Sequence, residues 1–395
     1  MPRVLRLINR LNLGGPTFNA AYLTRYLAPE YETLLVAGMI DDSEASSEFI
    51  LDEMGLKPVY IPEMYRAIDF TNDRKAYSRL KKIIRDFQPD IVHTHAAKAG
   101  ALGRMAARSC GVPAIVHTFH GHVFHSYFPK WKSQIFVNIE RILAKRSDRI
   151  IAISEKQKTE LSTQFRICPP EKIEVIPLGF DLKKFSENKN VKRAAFRKTY
   201  KVEDDEIVIS IVGRLVAVKN HRLFLSAIHD ILKRSEKRLR IFIVGDGEER
   251  QRLETFANEL SLNFTDFQHN PQKATITFTS WIREVAEVYA GSDIVALSSL
   301  NEGTPVSIIE ALAAGKAIVT TDVGGISDFV YHRKNGLIVP TNNEPAFTNA
   351  LLELIENSNL RSEMENFNEE SVQQRFSYLR LVNDTKRLYS QLLQN

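Results

Sequence analysis

Ser298-Ser299-Leu300-Asn301-Glu302-Gly303-Thr304-Pro305-Val306-Ser307-Ile308-Ile309-Glu310-Ala311, followed by Leu312-Ala313-Ala314-Gly315, reads as a strand end, a glycine loop and a helix. Thr304 is an N-cap residue type and Pro305 suits the first helical position, where a missing N–H costs nothing, so the spacing predicts a helix beginning there. Val306, Ile309 and Ala313 would share one apolar face with Leu312 beside it, and Gly315 is the expected stop after Ala314. Unpaired amides at such a helix start, from Thr304 to Ser307, attract an anion, and Gly303 leaves room for its approach.

The two carboxylates suggest a second chemistry. Glu302 precedes the helix, and Glu310 lies about 8 Å farther along its axis. A carboxylate beside an anion site is repulsive unless it points elsewhere, and sugar hydroxyls are natural partners because one carboxylate accepts two of them. Read singly, Glu302 is a dipole-stabilising acid and Glu310 a solvated one.

Upstream, a strand over 207–212 leads to Gly213-Arg214, then to Lys219 and a helix over 221–232. A planar guanidinium and a point-charge ammonium at such a turn could hold two phosphates. The strand over 240–244 runs into Gly245-Asp246-Gly247. Trp281-Ile282-Arg283 follow the strand over 275–278, and the strand over 293–297 delivers the chain to the opening stretch. Beyond it come a strand over 317–321, the turn Gly324-Gly325 and a strand over 336–339.

The first half has the same architecture with a different sequence. A strand over 4–8, the turn Asn12-Leu13-Gly14-Gly15-Pro16 and a helix over 18–27 open it, and strands follow over 33–37, 59–62, 89–95, 114–120, 149–153 and 173–177. Strand and helix alternating throughout predict an α/β protein of two doubly wound Rossmann-like domains, with parallel sheets facing across a cleft. The expected divisions are an N-terminal domain over 1–180, a charged linker over 181–200 and a C-terminal domain over 201–375. A terminal amphipathic helix over 376–395 is expected to join the first domain.

Composition narrows the class. The 395 residues, 44% hydrophobic and 26% charged, describe an ordinary globular protein with room for two cores. Two cysteines make no disulfide framework, and Arg3, Arg6 and Arg10 interrupt the first apolar segment, so a cytoplasmic location is expected. A net charge of +5 permits an anionic partner, but no arginine-rich arm or zinc-finger pattern accompanies it, so nucleic acid is not an expected partner. A helix over 73–87 carries Arg74, Lys75, Arg79, Lys81, Lys82 and Arg85. It reads as a solvated face, with contact to anionic lipid at the inner membrane face as the secondary reading. His117, His120, His122 and His125 surround one strand end without neighbouring cysteines or an H-E-x-x-H helix, so no metal is expected. His120 stands where an open α/β sheet meets its ligand. Anion-binding turns with carboxylates that suit hydroxyls fit a diphosphate flanked by sugars, a nucleotide sugar, better than a bare nucleotide.

Gly213-Arg214 with Lys219, Gly245-Asp246-Gly247, Trp281 to Asp293 and the Glu-x7-Glu stretch from Glu302 to Glu310, in this order, resemble the retaining glycosyltransferases of family four, which have the GT-B fold. The likeness extends through Gly14-Gly15-Pro16, His93-Thr94-His95 and 176–181. It implies that Arg214 and Lys219 hold the donor diphosphate, that Glu302 binds sugar hydroxyls beside Gly303, Thr304, Pro305, Val306 and Ser307, and that Glu310 binds the ribose. It further implies that Gly213, Gly245, Trp281 and Ile282 line the donor site, that His120 lies over the sugar and that Gly14 and Gly15 approach the phosphates. The implied acceptor is a saccharide or lipid-linked saccharide of bacterial surface polysaccharide or glycolipid synthesis, and no cofactor or metal is implied. The rival readings are a GT-B-shaped nucleotide-sugar epimerase or phosphorylase, and a non-catalytic nucleotide-sugar-binding protein. A dinucleotide oxidoreductase is disfavoured because neither glycine turn spells G-x-G-x-x-G.

Overall fold

The computed structural model describes residues 1–12, 14–40, 47–65, 67–121 and 130–394, so Leu13, His122, His125 and Asn395 of the readings above lie outside the described residues. Contacts divide the chain into Met1–Phe180 with Arg375–Asn395, and Asp181–Gln374.

The first unit runs β1 (Arg3–Ile8), α1 (Gly15–Tyr26), β2 (Glu32–Gly38), α2 (Glu48–Glu53), β3 (Val59–Ile61), α3 (Phe70–Phe87), β4 (Ile91–His95), α4 (Ala97–Ser109), β5 (Ala114–Phe119), α5 (Lys130–Lys145), β6 (Arg149–Ala152), α6 (Glu155–Thr159) and β7 (Ile173–Val175). Its seven strands pair in parallel in the order β3-β2-β1-β4-β5-β6-β7. Alternate residues of β1 serve opposite faces, as the two-residue period requires. Leu5 and Leu7 pack with Leu80 and Ile84 of α3 and Leu102 of α4, whereas Val4 packs with Leu23 and Leu27 of α1.

The second unit runs α7 (Lys183–Ser186), α8 (Lys189–Thr199), β8 (Ile207–Val212), α9 (His221–Arg234), β9 (Leu239–Val244), α10 (Arg250–Glu259), β10 (Phe264–Asp266), β11 (Ile276–Ser280), α11 (Val285–Gly291), β12 (Ile294–Leu297), α12 (Val306–Ala313), β13 (Ala317–Thr321), β14 (Leu337–Val339) and α13 (Glu344–Glu356). Its sheet has the order β10-β11-β9-β8-β12-β13-β14, again all parallel. Apolar runs such as Ile207–Val212 are what a sheet covered on both faces requires.

The charged run over 181–200, expected as a linker, is helical instead. Its α7 and α8 bury Phe185 and Phe196, and Phe196 packs against Phe242 of β9 with ring centroids 4.9 Å apart. Lys183, Lys184 and Lys198 of that run are exposed, Lys189, Lys192 and Arg193 half-buried and Arg197 buried, on helices whose aromatic residues belong to the core. After α14 (Ser358–Phe376), α15 (Tyr378–Gln394) packs Leu381, Val382 and Leu388 into the Val4 side of the first sheet. The Phe180 amide donates to the Phe376 carbonyl at 2.8 Å, and a Cβ on Gly179 would lie 2.6 Å from that of Leu381, so the strap crosses at close range. No described helix is long and apolar enough to cross a membrane.

Candidate functional site

In the second sheet the strand order reverses between β8 and β12, and the loops leaving these two neighbours diverge. Ligands of open α/β sheets bind outside the carboxyl ends of the strands at such a switch point. The turn after β8 supplies Gly213, Arg214 and Lys219, and the turn after β12 supplies Ser298 to Pro305, so residues over 80 positions apart in sequence share one sheet edge.

Lys219 and Glu302 meet directly, with Nζ 2.6 Å from Oε1. The Ser299 hydroxyl donates to the same oxygen at 2.7 Å, and Thr321 Oγ1 donates to the Ser299 carbonyl at 2.7 Å. Two residues expected to touch different parts of a ligand thus hold one another, and the pair is partly shielded from water. Lys219 also folds back over Gly213, where a Cβ would meet its Cε at 3.6 Å. Arg214 is half-buried, and its guanidinium makes no hydrogen bond or ion pair with the described residues.

The helix begins one residue later than expected. Pro305 has φ −71 and ψ 112 and is itself the N-cap of α12, its carbonyl accepting from Ile308 and Ile309. Thr304 is therefore not the cap, and its hydroxyl is buried without a partner among the described residues. The reason is local: ψ 112 keeps Pro305 in extended backbone, so Val306 is the first helical residue. The apolar surface also extends farther round the helix than one stripe. Ile308, Ile309, Ala311, Leu312 and Ala313 are buried, and Val306, expected inside, lies on the open side with Ser307 and Glu310. The amides of Gly303, Thr304, Val306 and Ser307 find no acceptor among the described residues, which is the anion-attracting arrangement of a helix start. Gly315 has φ +70 after the C-cap Ala314, a left-handed stop that suits glycine.

Glu310 accepts from Tyr289 Oη at 2.9 Å. Burial pushes its carboxyl up to about 7, against smaller lowering influences from the Tyr289 hydroxyl and Lys184. Tyr289 is fully buried, and burial beside Glu310 raises its phenol well above the ordinary value.

The turn Gly245-Asp246-Gly247 after β9 acts as a buttress. A Cβ on Gly245 would fall 2.0 Å from the Gly213 carbonyl oxygen, and one on Gly247 would fall 2.4 Å from that of Leu215. The Leu215 amide donates to the Asp246 carbonyl at 3.0 Å, and the Ser280 hydroxyl donates to the Asp246 carboxylate at 2.8 Å. Gly245 thus holds the Arg214 loop. Beyond β11, Trp281 is 42% exposed while Ile282 packs against the core.

Gly14, Gly15 and His120 belong to the first unit. Gly14 caps α1, which begins at Gly15 rather than Phe18 because Gly14's carbonyl already accepts from Thr17 and Phe18. His120 follows β5, its Nε2 2.9 Å from His95 Nδ1. Burial lowers its pKa to about 3, so the ring is neutral. Among the described residues, no group of three or more His, Cys, Asp or Glu side chains is placed to hold a metal ion. Sequence reading missed Ser299, Thr321 and Tyr289: Thr321 and Tyr289 act through tertiary contacts, and Ser299 through a local bond to Glu302 three residues on. It quoted Gly324-Gly325 as a turn without seeing that a Cβ on Gly324 would lie 2.3 Å from the Gly303 carbonyl oxygen.

Two family models match the chain: Glycosyltransferase Family 4 over residues 13–184, and Glycosyl transferases group 1 over 192–371. The UDP-Gal:alpha-D-GlcNAc-diphosphoundecaprenol alpha-1,3-galactosyltransferase of Escherichia coli is 31% identical over 342 residues, 86% of this chain and 85% of that protein. The putative glycosyltransferase EpsD of Bacillus subtilis is 23% identical, over 80% of each chain. In fold, the chain is similar to Anabaena HepE in complex with UDP-glucose, with a TM-score of 0.81, 18% identity and coverage of 99% of this chain and 100% of that one.

Proposed function

The chain belongs to the family 4 glycosyltransferases, with the GT-B fold, and on that premise we propose that it moves a sugar from a nucleoside-diphosphate donor to a hydroxyl of a lipid-linked saccharide, with retention at the anomeric carbon. The observation that carries the site assignment is the meeting of Lys219, Glu302 and an open helix start at the β8–β12 switch point, with Arg214 on the same turn and unpaired among the described residues.

In this reading Arg214 and Lys219 neutralise the diphosphate as it leaves, and the amides at the start of α12 add fixed dipoles aimed at the same charge. Glu302, held by Ser299, takes sugar hydroxyls, Glu310 takes the ribose, and Trp281 and Ile282 lie on the base side. The bond between the anomeric carbon and the diphosphate oxygen breaks as the acceptor oxygen bonds to the same face of the sugar. The acceptor's proton passes to a departing phosphate oxygen. Neither glutamate serves as nucleophile or base, and the cationic side chains supply the charge stabilisation that a metal would otherwise provide.

The E. coli relative's name specifies UDP-galactose and a diphosphoundecaprenol-linked acceptor, and HepE holds UDP-glucose, so UDP-hexoses are the expected donors. Thermal stabilisation across UDP-, GDP- and ADP-sugars tests this, because a ligand selective for the native state raises apparent stability. A selective rise with UDP-hexoses is expected, and no rise with any sugar nucleotide counts against the donor assignment.

Glu310 gives the site a pH dependence. Two ribose hydroxyls need the ionised carboxylate, so UDP affinity is expected to rise as pH climbs through about 7. Folding runs the other way: a carboxyl raised from 4.5 contributes stability that is full below the unfolded value and lost as pH rises through about 7. Calorimetric titration checks the affinity, and an equally steep rise in Glu310→Gln would remove Glu310 from ribose binding.

A lipid-linked acceptor places the first unit near a membrane surface. On α5, Trp131, Ile135, Ile139 and Ile142 are 63%, 49%, 41% and 54% exposed at helical spacing, and α3 presents Arg74, Lys81, Lys82 and Arg85 around one open depression. Lys81→Glu with Lys82→Glu is expected to weaken sedimentation with anionic vesicles, and unaltered sedimentation would make α3 a solvated face.

A further inference from the structure

Arg6 lies on β1 with no exposed surface, and no carboxylate accompanies it among the described residues. A buried guanidinium without an acid is costly, and its Nε and Nη2 have no partner among the described residues. What Arg6 touches is a row of imidazoles. Its Nη1 is 2.9 Å from His93 Nδ1, 3.4 Å from His95 Nε2 and 3.4 Å from Tyr389 Oη of α15. The His93 and His95 rings stack with centroids 4.3 Å apart, and those of His95 and His120 at 5.1 Å.

A guanidinium only donates, so every ring nitrogen facing it must be unprotonated. His93 therefore carries its proton on Nε2 and donates to Thr118 Oγ1 at 2.7 Å. His95 accepts from Arg6 through Nε2, so its own proton sits on Nδ1 and points at His120 Nε2, 2.9 Å away. His120 then accepts at Nε2 and must carry its proton on Nδ1. That nitrogen is shielded from solvent and has no hydrogen-bond partner among the described residues. A buried donor left without an acceptor is costly, and that cost is removed when a ligand oxygen arrives.

We propose that Arg6 and His95 are positioning residues that hold His120 in its Nδ1–H tautomer, so that this ring offers a hydrogen-bond donor and no base at Nδ1. The role in transfer rests on the reading that His120 lies over the donor sugar; the tautomer itself does not. Burial keeps His93, His95 and His120 neutral, as the relay requires, and Arg6 adds to the lowering at His93 and His95. Arg6 contacts neither nucleotide nor sugar in this account. Its chemistry reaches the site as the direction of two hydrogen bonds.

Long-range proton–nitrogen spectra of the full chain labelled with 15N-histidine read the tautomer, with His120 identified by its loss in His120→Asn. The wild type is expected to show a protonated Nδ1 and a bare Nε2 at His120. In Arg6→Met and His95→Leu the proton should redistribute towards Nε2, while His95→Gln, which keeps an N–H to donate, should retain Nδ1–H. Arg6→Met removes an uncompensated buried charge, so it is expected to fold at least as stably as the wild type while turnover falls roughly 10- to 100-fold, as when an outer partner of a ligating imidazole is lost. A wild-type His120 protonated at Nε2, or an unchanged tautomer in Arg6→Met, overturns the proposal. A shifted tautomer with unchanged transfer upholds the relay and overturns only the placement of His120 over the sugar.

Discussion

Lys219→Ala is expected to lower turnover about 100-fold or more at saturating sugar donor and acceptor, the usual cost of losing a preorganised charge at a developing oxyanion. Lys219 contributes twice. In the proposed reaction its ammonium is one of two cations offered to the leaving diphosphate, and its 2.6 Å contact orients Glu302. The alanine variant also leaves the Glu302 carboxylate, 14% exposed, with Ser299 as its remaining side-chain partner. The loss should appear mainly in kcat, because charge builds on the diphosphate only as the glycosidic bond breaks. Single-turnover kinetics check this, and near-normal turnover at saturation would remove Lys219 from the reaction.

Gly324→Ala is expected to damage the site without touching a ligand. Gly324 has φ +54, and a Cβ there would sit 2.3 Å from the Gly303 carbonyl oxygen and 2.4 Å from that of Glu302. Both obstacles are backbone, so the loop carrying Glu302 must shift, and the 2.8 Å bond from the Gly325 amide to the Gly303 carbonyl shifts with it. The backbone conformation alone costs about 1–3 kcal/mol for a residue with a side chain. Denaturant unfolding should show that loss, and calorimetry should show sugar-nucleotide affinity falling further than stability explains. Wild-type stability and affinity in this variant would contradict the buttress.

The parallel sheets are legible because their strands are short apolar runs stopped by glycine, as in Ile207–Val212 before Gly213. What escapes the sequence is whatever depends on partners distant along the chain. Residues 130–145 carry no helix in the sequence reading, since α5 has apolar residues on both faces, Val137, Leu143 and Ala144 buried and Trp131, Ile135, Ile139 and Ile142 exposed, which blurs a one-sided stripe. The charges of 181–200 hide the two aromatic residues that anchor α7 and α8. At the site, residue types and their order pointed to diphosphate and hydroxyls. The pairing of Lys219 with Glu302, the support from Tyr289, and the donor chain from Arg6 to His120 arise only once β8 meets β12 and β1 meets β4.

Gly245 shows the same limit from the other side. Its place after a strand suggested a ligand-lining glycine, whereas its would-be side chain points at the Gly213 carbonyl. The glycine is needed so that one backbone turn can lie against another, the turn that carries Arg214.

Hydrogen exchange of the full chain, with and without the sugar nucleotide that stabilises it most, tests the central claim most directly. A donor held at the β8–β12 switch point predicts slowed exchange at amides of residues 213–220 and 299–310. Unchanged exchange in both segments, with protection appearing elsewhere, would contradict it.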